Sequence, residues 1–281
     1  MSNKNLTSDK GSIWRKWDLH LHTPYTKLSD QYEQIGEEEI WKTYCDRIES
    51  SDVDAFGITD YFSCENYFTF LEEFKKHYPE SKKVFFPNIE FRLDIAVNQQ
   101  AEEINIHIIF SNELTKNQID DFLTLLKTNH TNAGGTKISC KNLQSDQFVS
   151  ATVNHNNLVS CLKESFGNEK PYLILAAANN AGLRPVNNSP RKLAITDEID
   201  KICDAFFGGR QNVKYYLKID RYETDEIAKA SPVICGCDAH SFDDLDNHLG
   251  KYVTRLNQEG KTEILKDITW IKADLTFEGL K

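Results

Sequence analysis

The chain predicts an α/β barrel, and three observations carry that prediction. Short apolar runs of strand type alternate with segments of helical periodicity along nearly the whole sequence, the pattern of repeated βα units around a parallel sheet. The length, 281 residues, suits one such barrel. Ligand-type residues recur at the ends of the apolar runs, where a parallel barrel keeps its chemistry. No internal repeat, linker or low-complexity tract divides the chain, so residues 1–281 are expected to form one barrel domain.

The first strand is Trp17-Asp18-Leu19-His20-Leu21-His22-Thr23. Side chains alternate along a strand. Trp17, Leu19 and Leu21 are therefore expected on one apolar face, with Asp18, His20 and His22 on the other. Two imidazoles on one face can hold one metal ion, although a solvent-exposed His-x-His at a strand end has the same pattern. Glu37 to Ser51 carries Ile40, Tyr44 and Ile48 at helical spacing, Ala55 to Thr59 is a buried strand, and Glu65 to His77 is a helix with Phe68, Leu71 and Phe74 on one side. Strands follow at Val84 to Glu90 and Ile104 to Phe110, then a helix from Asn117 to Lys127 bearing Ile119, Phe122, Leu123 and Leu126. His155 to Phe166 is helical and stops at Gly167, a natural residue just past a helix end. Tyr172 to Ala178, Pro232 to Cys237 and Ile268 to Lys272 are the remaining strands. The stretches Thr128 to Thr136 and Asn179 to Lys192, rich in Gly, Asn, Thr and Pro, are expected to be long surface loops.

Composition narrows the function classes. A net charge of -10 argues against a broadly basic surface that coats nucleic acid, while leaving room for a local basic channel beside bound metal. The seven cysteines are scattered, without a Cys-x-x-Cys pair, as in a reduced cytoplasmic protein. The polar start of the chain, and the absence of any run near the ~18 apolar residues of a membrane span, predict neither secretion nor insertion.

Asp60 follows the second strand, Glu90 the third, and Asp238 with His240 the strand ending at Cys237; His107 lies within the fourth strand, facing away from Ile104, Ile106 and Ile108. Each alone reads equally as a core polar residue or a helix cap. Together, in one barrel, they read as a metal site. Arg184, Arg191, Lys192 and Arg210 sit in or beside the later loops, and a planar guanidinium suits bidentate phosphate binding. His77, His130, His155 and His248 read as surface residues, and Cys235 and Cys237 as core packing.

The successive segments Asp18-Leu19-His20-Leu21-His22-Thr23, Gly57-Ile58-Thr59-Asp60, Pro87-Asn88-Ile89-Glu90, His107 and Cys237-Asp238-Ala239-His240 resemble, in order and spacing, the motifs of the PHP (polymerase and histidinol phosphatase) superfamily. The opening Gly11-Ser12-Ile13-Trp14, the variant Thr59-Asp60-Tyr61-Phe62-Ser63 and the stretch from Trp270 to Leu280 resemble more narrowly the N-terminal PHP domains that precede a large AAA/SMC-type ATPase. The resemblance implies a distorted (β/α)7 TIM-like barrel with up to three metals at its mouth, hydrolysing phosphate esters. It implies a first metal on His20, His22, Glu90 and Asp238, with Glu90 bridging to a second held also by His107. The third-metal set is broken. Thr26-Lys27 stands where Ser-Asp is usual, Tyr61 replaces a histidine, and a His-Pro is missing near Asn179, so only His240 of that set remains. One or two divalent transition ions (Zn, Mn or Fe) are therefore expected, with His240, Asp60 and Tyr61 as catalytic candidates and His240 also a possible metal ligand. The implied function is a metal-dependent phosphoesterase, acting as a nuclease on DNA or RNA and partnered with the ATPase. The alternatives are a non-catalytic metal- or nucleic-acid-binding module that docks an ATPase, and a small-molecule phosphatase.

Overall fold

The first strand, β1 (Trp14–His22), does not alternate as a plain strand would. The computed structural model describes residues 13–97, 102–178, 182–183, 190–217, 230–257 and 260–281. In it β1 pairs in parallel with β2 (Ala55–Tyr61), Trp17 opposite Ala55 and Asp18 opposite Phe56, but then Leu21 opposite Ile58. Three steps on β1 match two on β2, so β1 carries one extra residue, a bulge at Leu19–His20. Trp17 and Leu19 pack inside the barrel, whereas Leu21 joins the cluster outside it with Ile58. The expected common face of Trp17, Leu19 and Leu21 is thus corrected, and Asp18, opposite the outer-cluster residue Phe56, parts from His20 and His22. Gly57 makes the bulge possible: a Cβ there would meet the Leu19 carbonyl oxygen at 2.2 Å.

The remaining strands are β3 (Val84–Ala96), β4 (Glu103–Phe110), β5 (Lys127–Thr131), β6 (Lys137–Ser139), β7 (Tyr172–Ala177), β8 (Ala205–Phe207), β9 (Val233–Ile234), β10 (Val253–Leu256), β11 (Thr262–Lys266) and β12 (Thr269–Lys272). Together with β1 and β2, six of them form one eight-stranded sheet in the order β12-β1-β2-β3-β4-β7-β8-β9, curled into a nearly closed, TIM-like barrel. The sheet is mixed where a parallel one was expected: β4 runs antiparallel to both β3 and β7, and β12 antiparallel to β1. Only residues 97–102 separate β3 from β4, too few for the helical crossover that parallel neighbours require.

The barrel closes along an irregular seam. Of the run Pro232 to Cys237, expected to be a full buried strand, only Val233 and Ile234 pair with β8. Beyond them Asp18 intercepts the Cys237 N–H with both carboxylate oxygens, at 3.1 and 3.0 Å, and Asp238 N–H and the Ala239 carbonyl bond singly to β1 at His20 and His22. Gly236 permits this approach, since a Cβ there would lie 2.5 Å from that of His20. The Thr269 hydroxyl, on β12, ties the other side by accepting from Cys235 N at 2.7 Å and donating to Cys235 O at 2.8 Å.

Helices α1 (Glu37–Ser50), α2 (Glu65–His77) and α7 (Phe242–His248) cover β1–β3 through a cluster built on Tyr44, Phe56, Phe70 and Leu245. Helices α3 (Lys116–Leu125), α4 (His155–Phe166) and α5 (Pro190–Ile202) cover β3, β4 and β7 through Phe91, Phe110, Phe122 and Leu162. Short helices α6 (Arg210–Tyr216) and α8 (Phe277–Leu280) follow β8 and β12. Thr128 to Thr136, expected to be a loop, is mostly a β5–β6 hairpin; its polar composition marks a turn in which Asn132 Oδ1 accepts from Gly134 and Thr136 N–H. Asn179 to Lys192 is helical from Pro190 onward, while Asn179 and Arg184 lie outside the described residues. Among the described residues no helix is long and apolar enough to cross a membrane.

Candidate metal centre

At the end of the barrel where β1, β2 and β3 finish, four side chains converge. His20 Nε2 lies 3.3 Å from His22 Nε2, 3.3 Å from Glu90 Oε2 and 3.2 Å from Asp238 Oδ1. His22 Nε2 lies 3.5 Å from Glu90 Oε2 and 3.7 Å from Asp238 Oδ1. A tetrahedral ion with ligand bonds of ~2.1 Å holds its donor atoms ~3.4 Å apart, the tetrahedron's edge being about 1.63 times that bond. The five separations bracket that edge. His107, opposite Glu90 in the β3–β4 register, brings its Nε2 to 4.0 Å from the same Glu90 oxygen.

For His22, His107 and His240 the far side of the ring is held so that the near side is a lone pair. The Thr26 hydroxyl donates to Asp60 Oδ1 at 3.0 Å, leaving its oxygen to accept the His22 Nδ1–H at 3.1 Å. Asn88 spends its amide N–H groups on the Leu19 carbonyl and the Thr59 hydroxyl, so its oxygen accepts His107 Nδ1–H at 3.3 Å. His240 Nδ1–H donates to the Asp238 carbonyl at 3.1 Å, and its Nε2 accepts the Tyr61 hydroxyl at 3.2 Å. Such outer contacts fix tautomer and ring orientation around metals. Glu90 is held likewise: Asn105 Nδ2 donates to Oε1 at 2.6 Å, while Oε2 is buried among three imidazoles without accepting a hydrogen bond from any described residue.

Electrostatics agree with a ligand set. Burial drives His22 down to about 4 and His107 down to about 3, keeping both neutral. Burial also opposes ionisation of Glu90, but His107, His20 and His22 outweigh it and hold the carboxyl well below its usual range. Burial lowers His20 as well, yet the Asp238 and Glu90 carboxylates raise it on balance. Asp238 combines a half-exposed side chain with a backbone φ of 53°, a left-handed conformation that is uncommon outside glycine and clusters at functional sites. The donor set of imidazoles and carboxylates, the buried Glu90 oxygen without a hydrogen bond from any described residue and the two three-residue groups that share His22 fit divalent transition-metal binding.

The other residues singled out in the sequence fall into two groups. Tyr61 stacks on His22, ring centres 4.8 Å apart, and His240 stacks on the same ring at 4.0 Å, so both stand at the mouth of the cluster. Asp60 stands behind it. Its carboxylate accepts from Thr26 Oγ1, the backbone N–H of Lys27 and Tyr61, and Asn66 Nδ2, which commits it to holding the loop after β1; burial raises it to about 7 against those bonds. Arg210 is not brought to the cluster: its Nε is paired with Asp267 at 2.8 Å beside a cavity that none of the four converging residues lines. Arg191 and Lys192 begin α5, their side chains outside the described residues. Sequence reasoning passed over Asn88 and Asn105, whose signal was parity, since each faces inward from a strand that also carries a ligand residue. It noted Thr26 only as a departure from the family pattern.

A scan of family models and a comparison with curated proteins each return no match. Among solved structures the chain is similar to a candidate metal-dependent phosphoesterase from Bifidobacterium adolescentis, with 12% sequence identity and a TM-score of 0.41 over 82% of this chain and 89% of that one.

Proposed function

We propose that this protein is a metal-dependent phosphoesterase that cleaves nucleic acid. The observation that carries the reading is the Glu90 Oε2 atom, buried and without a hydrogen bond from any described residue, grouped with His20 and His22, with Asp238 and His240 gathered on the other side of His22. His20, His22, Glu90 and Asp238 would hold one ion, and His107 with Glu90 a second. Bound divalent ions supply Lewis acidity, lowering the pKa of water to near neutrality and offsetting charge that develops on phosphate.

The chain's own groups divide the remaining work. His240, with Nδ1–H committed to the Asp238 carbonyl, exchanges protons only at Nε2, the atom that faces Tyr61. It would hand a proton to the departing oxygen from its imidazolium form, protonated at Nε2 with the Tyr61 oxygen accepting in turn, and return to the neutral ring afterwards. Tyr61 keeps that nitrogen aimed and lines the mouth with its ring. Thr26, Asn88 and Asn105 keep the inward atoms free of protons and correctly turned. The choice of nucleic acid over a small ester rests on the resemblance to ATPase-linked PHP domains.

The test is metal analysis by plasma mass spectrometry, followed by assays on single- and double-stranded DNA, RNA and bis(4-nitrophenyl) phosphate with Mn, Zn, Fe and Mg. One or two tightly held ions and metal-dependent cleavage of a polymer are expected. Protein that loads metal yet cleaves none of these substrates overturns the hydrolytic reading in favour of a binding module.

A further inference from the structure

Four barrel-facing positions of β3 form a column: Phe86 in the floor, Asn88 behind His107, Glu90 in the cluster and then Arg92. Two strand residues advance ~6.6 Å, so Arg92 stands one step outward of Glu90, at the mouth. The same register sets it opposite Asn105, the residue that holds Glu90 Oε1. Its guanidinium lies over the Tyr61 ring, 5.8 Å from the centre, and Tyr61 in turn bonds His240.

Arg92 is also electrically uncommitted. Arg47, Arg210 and Arg255 are each paired with a carboxylate, to Asp246, Asp267 and Glu263 respectively. Lys27 and Lys141 share Glu65, and Lys141 is also paired with Asp120. Arg92 has no carboxylate partner among the described residues; one of its five N–H groups donates to the Val149 carbonyl at 2.8 Å. A half-buried guanidinium on a barrel strand beside the candidate ligand cluster, without a carboxylate partner among the described residues, suits an anion that offers two oxygens.

We infer that Arg92 is the phosphate-gripping residue of this enzyme, binding non-bridging oxygens of the scissile phosphate while the Tyr61–His240 pair faces the leaving group. The inference rests on the phosphoesterase reading and adds to it the residue that selects an anionic substrate. It also moves the phosphate contact from the later loops, where Arg184 and Arg191 lie in the sequence, to the third strand.

The experiment uses the metal-loaded wild type, R92A and R92K, with bis(4-nitrophenyl) phosphate as substrate and inorganic phosphate as competing ligand. R92A should raise KM and the phosphate inhibition constant together by about 10- to 100-fold, the range for losing hydrogen bonds to a charged group, with metal content unchanged. R92K should keep part of the binding, because a point charge replaces a fork. If R92A hydrolyses with both constants within twofold of wild type, Arg92 is not the grip and the phosphoesterase reading stands. If R92A does not fold, R92K decides: phosphate inhibition equal to wild type overturns the inference. A metal-loaded wild type that neither hydrolyses nor binds phosphate overturns both readings.

Discussion

The two ends of the barrel interior are built from the same strands and could hardly differ more. At the mouth most polar groups around the cluster are committed to named partners, the exceptions being the few atoms that point inward and the Arg92 guanidinium, which gives one N–H to the Val149 carbonyl. At the floor the same strands present Trp17, Leu19, Phe86, Leu173 and Leu175, and between β8, β9 and β12 they leave a cavity of about 600 Å³ lined largely by apolar side chains. The mouth gives up hydrophobic packing for fixed orientation, and the floor supplies the burial. Chemistry in this fold is thus confined to one layer of residues, supported from outside by asparagine and threonine and from beneath by Phe207, whose ring lies 5.1 Å from that of His20 and 4.7 Å from that of His107.

That contrast can be broken by substitution. The largest effect is expected for Glu90→Gln, which removes the one charge facing all three imidazoles: metal content should fall and hydrolysis drop to background, while circular dichroism stays that of the wild type. Retained activity would move the site elsewhere. Next comes His240→Ala, expected to lower turnover of a phosphodiester by about 10²–10⁴-fold with bound metal near the wild-type level, as read by kcat beside metal analysis. Metal loss equal to that of Asp238→Asn would make His240 a ligand instead. Thr26→Val and Asn88→Ala each remove the acceptor on the far side of an imidazole, together with the bond to Asp60 in the first case and those to Leu19 and Thr59 in the second, so each should weaken metal affinity by about 10- to 100-fold, measured by competition with a chromophoric chelator. The smallest effect belongs to the seam. Thr269→Val leaves the Cys235 N–H and carbonyl without that hydroxyl and should cost about 1–3 kcal/mol of stability, seen as a lower melting temperature at unchanged metal stoichiometry. Should it lose metal as well, seam and mouth are one cooperative unit.

How far the sequence reaches follows the same division. Apolar periodicity fixes the extent of helices such as Glu65–His77 and His155–Phe166, although in the first the buried face is Tyr67, Phe70 and Phe74, with Phe68 and Leu71, expected beside Phe74, only half-buried. Ligand types at strand ends single out the residues that converge, since few other roles call for His, Glu and Asp in apolar runs. Strand direction is less legible. Whether β4 runs with or against β3 depends on connection length, and short apolar runs read alike either way. Least legible are the residues that aim the ligands. Thr26, Asn88 and Asn105 are ordinary polar residues whose meaning lies in the partners the fold brings to them, and Arg92 lies inside a strand, where periodicity alone does not mark a cation as a ligand.

The bulge in β1 has a consequence for how this site could have arisen and changed. Because Leu19 and His20 together occupy one place in the ladder, the histidine pair is set by a count of residues upstream as much as by the histidines themselves. Removing Leu19 should leave a regular strand with His20 and His22 still turned inward, losing only a piece of the floor, so a lineage could gain or shed that residue without passing through a metal-free ancestor. Gly57 is the hinge of that history. It is needed only while the extra residue is present, so a side chain at position 57 and a chain shorter by Leu19 are changes that should be inherited together.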